Sequence, residues 1–89
     1  MNNYALTIIL KADLDEKDRK GLLDSVTKKF EKLDKEDIWG ARDMAYQIKR
    51  QSKGYYAHYL FSAEPATAVS LDKELKMNED ILRYLLVRV

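Results

Sequence analysis

Gly40-Ala41-Arg42-Asp43-Met44-Ala45-Tyr46-Gln47-Ile48-Lys49 decides the fold of this chain. The stretch has the period of a β-strand. Arg42, Met44, Tyr46 and Ile48 point one way, and Ala41, Asp43, Ala45, Gln47 and Lys49 point the other, because side chains alternate along an extended backbone. Gly40 stands at its head, and without a Cβ it permits a bulge or sharp bend directly after Trp39. The expected element is a half-buried strand kinked at its start.

The flanking segments supply its neighbours. Residues 4–11 predict a first strand, with Tyr4, Leu6, Ile8 and Leu10 on one face and Ala5, Thr7 and Ile9 on the other. Asp13-Leu14-Asp15-Glu16 offers N-cap oxygens and acidic charge for a helix start. That helix is expected to run to about residue 33, with Leu22, Leu23, Val26, Phe30 and Leu33 on one stripe and Lys28, Lys29 and Lys32 in water near its end. The kinked strand then spans residues 37–50. Gln51-Ser52-Lys53-Gly54 reads as the hairpin turn, with Gly54 in its positive-φ position. A third strand covers residues 55–63. Pro65 opens a second helix, where a missing N–H costs nothing, and Ala68, Leu71 and Leu75 form its buried stripe. Residues 81–89 close the chain as a last strand. The order is β-α-β-β-α-β, the split βαβ arrangement of the α+β ferredoxin-like class: a four-stranded antiparallel sheet with two helices on one face.

Length and composition agree with that plan. A chain of 89 residues has room for one core, so residues 1–89 are expected to form a single domain. With 46% hydrophobic and 35% charged residues it is far from the composition of a disordered chain. There is no cysteine, which excludes disulfides, thiolate metal sites and cysteine nucleophiles, and fits a reducing cytoplasm. Neither a signal peptide nor a membrane-spanning helix is expected, and so no membrane association. The net charge is +1, whereas proteins that hold nucleic acid alone are usually much more basic. Any nucleic-acid contact would therefore use a local patch and share the work with a partner.

Two helices cover only one face of such a sheet, so the other face should be polar. It is not. Tyr4, Leu6, Ile8, Leu10, Tyr59, Phe61, Tyr84 and Leu86 are assigned beneath the helices. That leaves Ile9, Tyr56, His58, Leu60, Leu85 and Val87 on the open face, with Thr7 and Arg83 among them. A contiguous apolar patch of this kind marks a binding surface.

Catalysis finds little support. His58 is the only histidine and falls on the open face with no nucleophile in view. Asp13, Asp15, Glu16 and Asp18 lack the spacing of a calcium loop and sit where a helix start wants acids. Three scattered glycines make no phosphate loop. No catalytic residue, metal site or cofactor is expected. Lys53-Gly54-Tyr55 begins like the third strand of an RNA-recognition motif, but Tyr56 stands where a small residue belongs and Ala57 where a stacking ring belongs. Thr7 likewise offers no ring in the first strand, so the open face is expected to lack aromatic platforms.

The opening decamer closely resembles the motif of the sixth protein of the bacterial small ribosomal subunit, with Met44 in place of the usual Leu and Gln47 in place of a common Pro. The likeness continues through Tyr4-Ala5-Leu6-Thr7-Ile8-Ile9-Leu10-Lys11, Asp13-Leu14-Asp15, Gly54-Tyr55-Tyr56, and Glu79-Asp80-Ile81-Leu82-Arg83-Tyr84-Leu85-Leu86-Val87-Arg88. Relative to the family pattern the segment 32–39 is a few residues short, and the chain stops where many members continue into a polar tail. The resemblance implies a cytoplasmic, ribosomal, non-enzymatic role: binding the central domain of small-subunit rRNA together with the eighteenth small-subunit protein. Arg42, Lys49, Arg50, Lys53, Arg83 and Arg88 would then meet phosphates as positioning contacts. Ile9, Tyr56, His58, Leu60, Leu85 and Val87 would dock the protein partner. The alternative is a self-associating or regulatory ferredoxin-like interaction domain whose open face pairs with a copy of itself.

Overall fold

The computed structural model describes residues 2–48 and 50–89. Six elements follow one another: β1 (Asn2–Lys11), α1 (Glu16–Thr27), β2 (Lys32–Ile48), β3 (Gln51–Ala63), α2 (Pro65–Met77) and β4 (Ile81–Arg88). The strands make one antiparallel sheet in the order β2-β3-β1-β4. This is the ferredoxin-like arrangement expected from the sequence. Among the described residues no helix is long and apolar enough to cross a membrane.

The core lies between the sheet and the helices. Strand alternation sends Tyr4, Leu6, Ile8 and Leu10 of β1 and Ala57, Tyr59, Phe61 and Ala63 of β3 to the covered face, where all are buried. Val26 of α1 and Ala68, Leu71 and Leu75 of α2 pack onto them, and Tyr84 and Leu86 of β4 join from the edge, half-buried. Burial, with the nearby Glu36 carboxylate as the next cause, pushes the Tyr59 phenol far above its usual range, so it sits in the core as a neutral hydroxyl. On the rim, the Tyr84 hydroxyl donates to the Asp72 carboxylate at 2.9 Å, tying β4 to α2.

The first helix is shorter than its sequence stripe. Asp15 caps it with extended backbone, and Glu16 and Asp18 supply negative charge to the first turn. It closes at Thr27. Lys28 N–H still reaches Asp24 O four residues back, but Lys29 and Phe30 reach only Val26 O and Thr27 O, three residues back, which tightens the last turn. Phe30 then enters the core from the connection, stacked on Phe61 with ring centroids 3.8 Å apart. Leu33 belongs to β2, opposite Phe61, and is exposed. Sheet pairing from Lys32 onward overrides helix periodicity there. The lysine trio therefore lies beyond the helix: Lys29 pairs with Glu74 and Lys32 with Asp34.

The hairpin also differs from expectation. Residues Gln51 to Gly54 are strand, and among the described residues the positive-φ ones are Arg50, at 66°, and Gly40, at 80°. Gly54 is needed for space instead. A Cβ there would lie 2.5 Å from Ile9 Cγ2 on the neighbouring strand. Gly54→Ala is accordingly expected to destabilise by about 1–3 kcal/mol through overpacking. Gly21→Ala, in α1 with nothing within 4 Å of the added atom, is expected to stabilise by up to about 1 kcal/mol. Urea unfolding midpoints moving in opposite directions check both.

Candidate nucleic-acid and partner interface

The uncovered face of the sheet can be followed in rows, because residues paired across antiparallel strands project to the same side. One row runs Asp37, His58, Thr7, Leu85 from β2 to β4. The next runs Gly40, Tyr56, Ile9, Arg83, and on the other side comes Lys35, Leu60, Ala5, Val87. All six residues assigned to a partner surface, Ile9, Tyr56, His58, Leu60, Leu85 and Val87, thus share one contiguous face. Leu85 is 61% exposed and Val87 41%, while the other four are half-buried among themselves. A hollow of about 380 Å³ lined by Thr7, Ile9, Arg83, Tyr84 and Leu85 opens at the β1–β4 half.

Trp39 belongs to this face, although the alternation did not reveal it. The β2–β3 register slips between Ile38 and Gly40, so Trp39 is the extra residue of a β-bulge, with Gly40 at φ 80° supplying the turn of the backbone. Its indole lies nearly parallel to the His58 ring, at 8° and 5.7 Å between centroids, and within 6.3 Å of Tyr56 at 27°. Thr7 Oγ1 and His58 Nδ1 are hydrogen-bonded at 2.9 Å, which orients the imidazole. The Arg42 guanidinium lies 5.7 Å from the indole centroid. The expectation that this face lacks an aromatic platform is therefore corrected. The sequence signal was Trp39-Gly40 itself, since a bulge reverses the parity of everything before it.

The cations assigned to phosphate contacts divide into two groups. Arg42 pairs with Gly54, Lys53 with Asp43, and Arg50 forms the hairpin turn, so all three sit at one end of the sheet. Arg83, opposite Ile9 near the start of β4, lies toward the same end on the open face. Arg88 pairs with Tyr4 at the other end and stands apart from them. Lys49 lies outside the described residues. Between Asp43 and Ile48 the ladder loses register, so the strict alternation expected for the opening decamer holds only up to Asp43. The side-chain directions expected for Ala45, Tyr46 and Ile48 also lie outside the described residues.

Residues 3–88 match the family model of ribosomal protein S6. The chain belongs to the ribosomal protein S6 family. The small ribosomal subunit protein bS6 of Rhodococcus opacus is 41% identical over 92 aligned positions, covering 99% of this chain and 97% of that protein. Its counterpart in Desulforamulus reducens is 35% identical, with the same coverage. The crystal structure of 30S ribosomal protein S6 from Thermotoga maritima superposes with a TM-score of 0.91 at 26% identity, over 99% of this chain and 87% of that one. The four-stranded sheet and two helices of this chain are thus the S6 fold. Membership makes it a structural component of the small ribosomal subunit.

Proposed function

We propose that residues 1–89 act as one domain that binds the central domain of small-subunit rRNA jointly with the eighteenth small-subunit protein, on cytoplasmic ribosomes and without catalysing a reaction. The observation that carries this reading is the continuous apolar and aromatic face formed by Ile9, Tyr56, His58, Leu60, Leu85 and Val87 in an S6-family chain of net charge +1. A face of this extent favours a macromolecular partner, and a near-neutral chain releases few counterions on RNA by itself. In this scheme the protein partner covers the open face. Arg42, Arg50, Lys53 and Arg83 at the hairpin end, with Lys49, position the RNA backbone, and Arg88 makes a separate contact at the far end.

The native mass of the isolated chain tests the partner assignment. A monomer that forms a one-to-one complex with the eighteenth protein is expected, whereas a stable homodimer would transfer the open face to self-association. A second test is electrostatic. Arg83→Ala is expected to weaken rRNA binding of the pair and make the salt dependence shallower by about one unit of slope. An unchanged slope would remove Arg83 from the phosphate contacts.

A further inference from the structure

We propose that Trp39 is a stacking site for an unpaired RNA base, an inference that rests on the rRNA-binding reading and gives it a base contact besides phosphate contacts. The indole is the one large aromatic ring that the bulge lifts into an exposed position, at 43% accessible. It is also held in place. His58 lies parallel to it, is oriented by Thr7, and Tyr56 flanks the pair, so the ring is ordered before any ligand arrives. Preordered flat rings lose little conformational freedom on binding, and every base offers a π-face to them.

The Arg42 guanidinium at the ring favours a nucleic-acid base over an aliphatic anchor. That guanidinium lies over the indole, 5.7 Å from its centroid, and strand pairing opposite Gly54 puts Arg42 on the open face. A base on Trp39 would place a flanking phosphate within reach of Arg42, as in single-strand binders that combine an aromatic platform with a neighbouring cation. The hollow lined by Thr7, Ile9, Arg83 and Leu85 lies on the opposite half of the sheet and has apolar Leu85 exposed. That half suits the protein partner. The base then takes only the exposed indole at the β2 edge, and Ile9, Tyr56, His58, Leu60, Leu85 and Val87 remain the protein partner's surface.

Trp39 is the only tryptophan of the chain, so its emission reports this site alone. The protein is titrated at low salt with a single-stranded octanucleotide of A and U, and separately with an RNA duplex of equal phosphate count, following both tryptophan emission and the anisotropy of labelled RNA. Saturable quenching by the single strand, with the same midpoint as the anisotropy, is expected, and the duplex should bind with little quenching. Trp39→Ala should weaken single-strand binding on the order of tenfold while leaving duplex binding within about twofold, and Trp39→Phe should restore most of the loss. Circular dichroism verifies that the variants fold. Single-strand binding that neither quenches the emission nor responds to Trp39→Ala overturns the stacking site and leaves the rRNA reading intact. A spectral shift on adding the eighteenth protein, with no further change on adding RNA, assigns Trp39 to the protein interface and also overturns it. If no RNA, including the central-domain fragment, binds the chain alone or with its partner, the rRNA reading fails and the stacking site fails with it.

Discussion

Phe61→Ala destabilises the fold by about 3–5 kcal/mol, the range for emptying a large aromatic position in a closed core. Phe61 has no exposed surface, stacks on Phe30 at 3.8 Å and lies against Tyr4 at 5.5 Å between ring centroids. Its removal therefore disconnects β1, β3 and the segment that follows α1 at a single point. His58→Ala, three positions earlier on the same strand, faces the other way. It gives up one hydrogen bond to Thr7 and a contact with Trp39, together about 1 kcal/mol. Equilibrium denaturation of both variants checks the assignment of faces. Equal losses at the two positions would mean that the strand parity is reversed.

Leu60→Asp separates the mutant's folding from its assembly. Leu60 is half-buried on the open face, between Lys35 of β2 and Ala5 of β1. A carboxylate there remains accessible to water in the isolated chain, so the unfolding midpoint is expected to stay within about 1 kcal/mol of the parent. In the complex the same carboxylate would be buried without a partner, which is expected to weaken heterodimer formation roughly a hundredfold. Calorimetric titration of the pair gives that ratio directly. A Leu60→Asp chain that binds the partner as well as the parent does would remove the open face from the protein interface.

Much of this architecture could be read from the residues because one periodicity ruled each segment. The alternation of Tyr4, Leu6, Ile8 and Leu10 against Tyr59 and Phe61 placed the core, and Pro65 with Ala68, Leu71 and Leu75 placed α2. Where two signals competed, the tertiary one prevailed. Phe30 and Leu33 fit a helical stripe, yet Leu33 pairs across from Phe61 in the sheet, and Phe30 stacks on that ring from beyond the end of α1. Gly54 looked like a turn residue because glycine is permissive, but the crowding by Ile9 that requires it comes from a strand far away in sequence.

The candidate surface was recoverable to a similar degree. Simple alternation found the six apolar positions of the open face, since β1, β3 and β4 are regular across its centre. It missed Trp39 because a bulge inserts one residue and changes which side chains share a face. Charge could not be sorted by sequence either. Arg42, Lys53 and Arg83 gather toward one end only through the pairing of distant strands, and that same pairing sets Arg88 apart.

A filter-binding titration on a central-domain rRNA fragment decides whether binding is shared. The isolated chain, the eighteenth protein and their mixture are compared between about 50 and 200 mM salt, the range over which phosphate contacts lose most of their strength. Weak, steeply salt-sensitive retention is expected of this chain alone. The pair should bind at least about tenfold more tightly than either component, and Leu60→Asp should abolish that gain. Tight and specific binding by the isolated chain, unaffected by Leu60→Asp, would contradict shared binding.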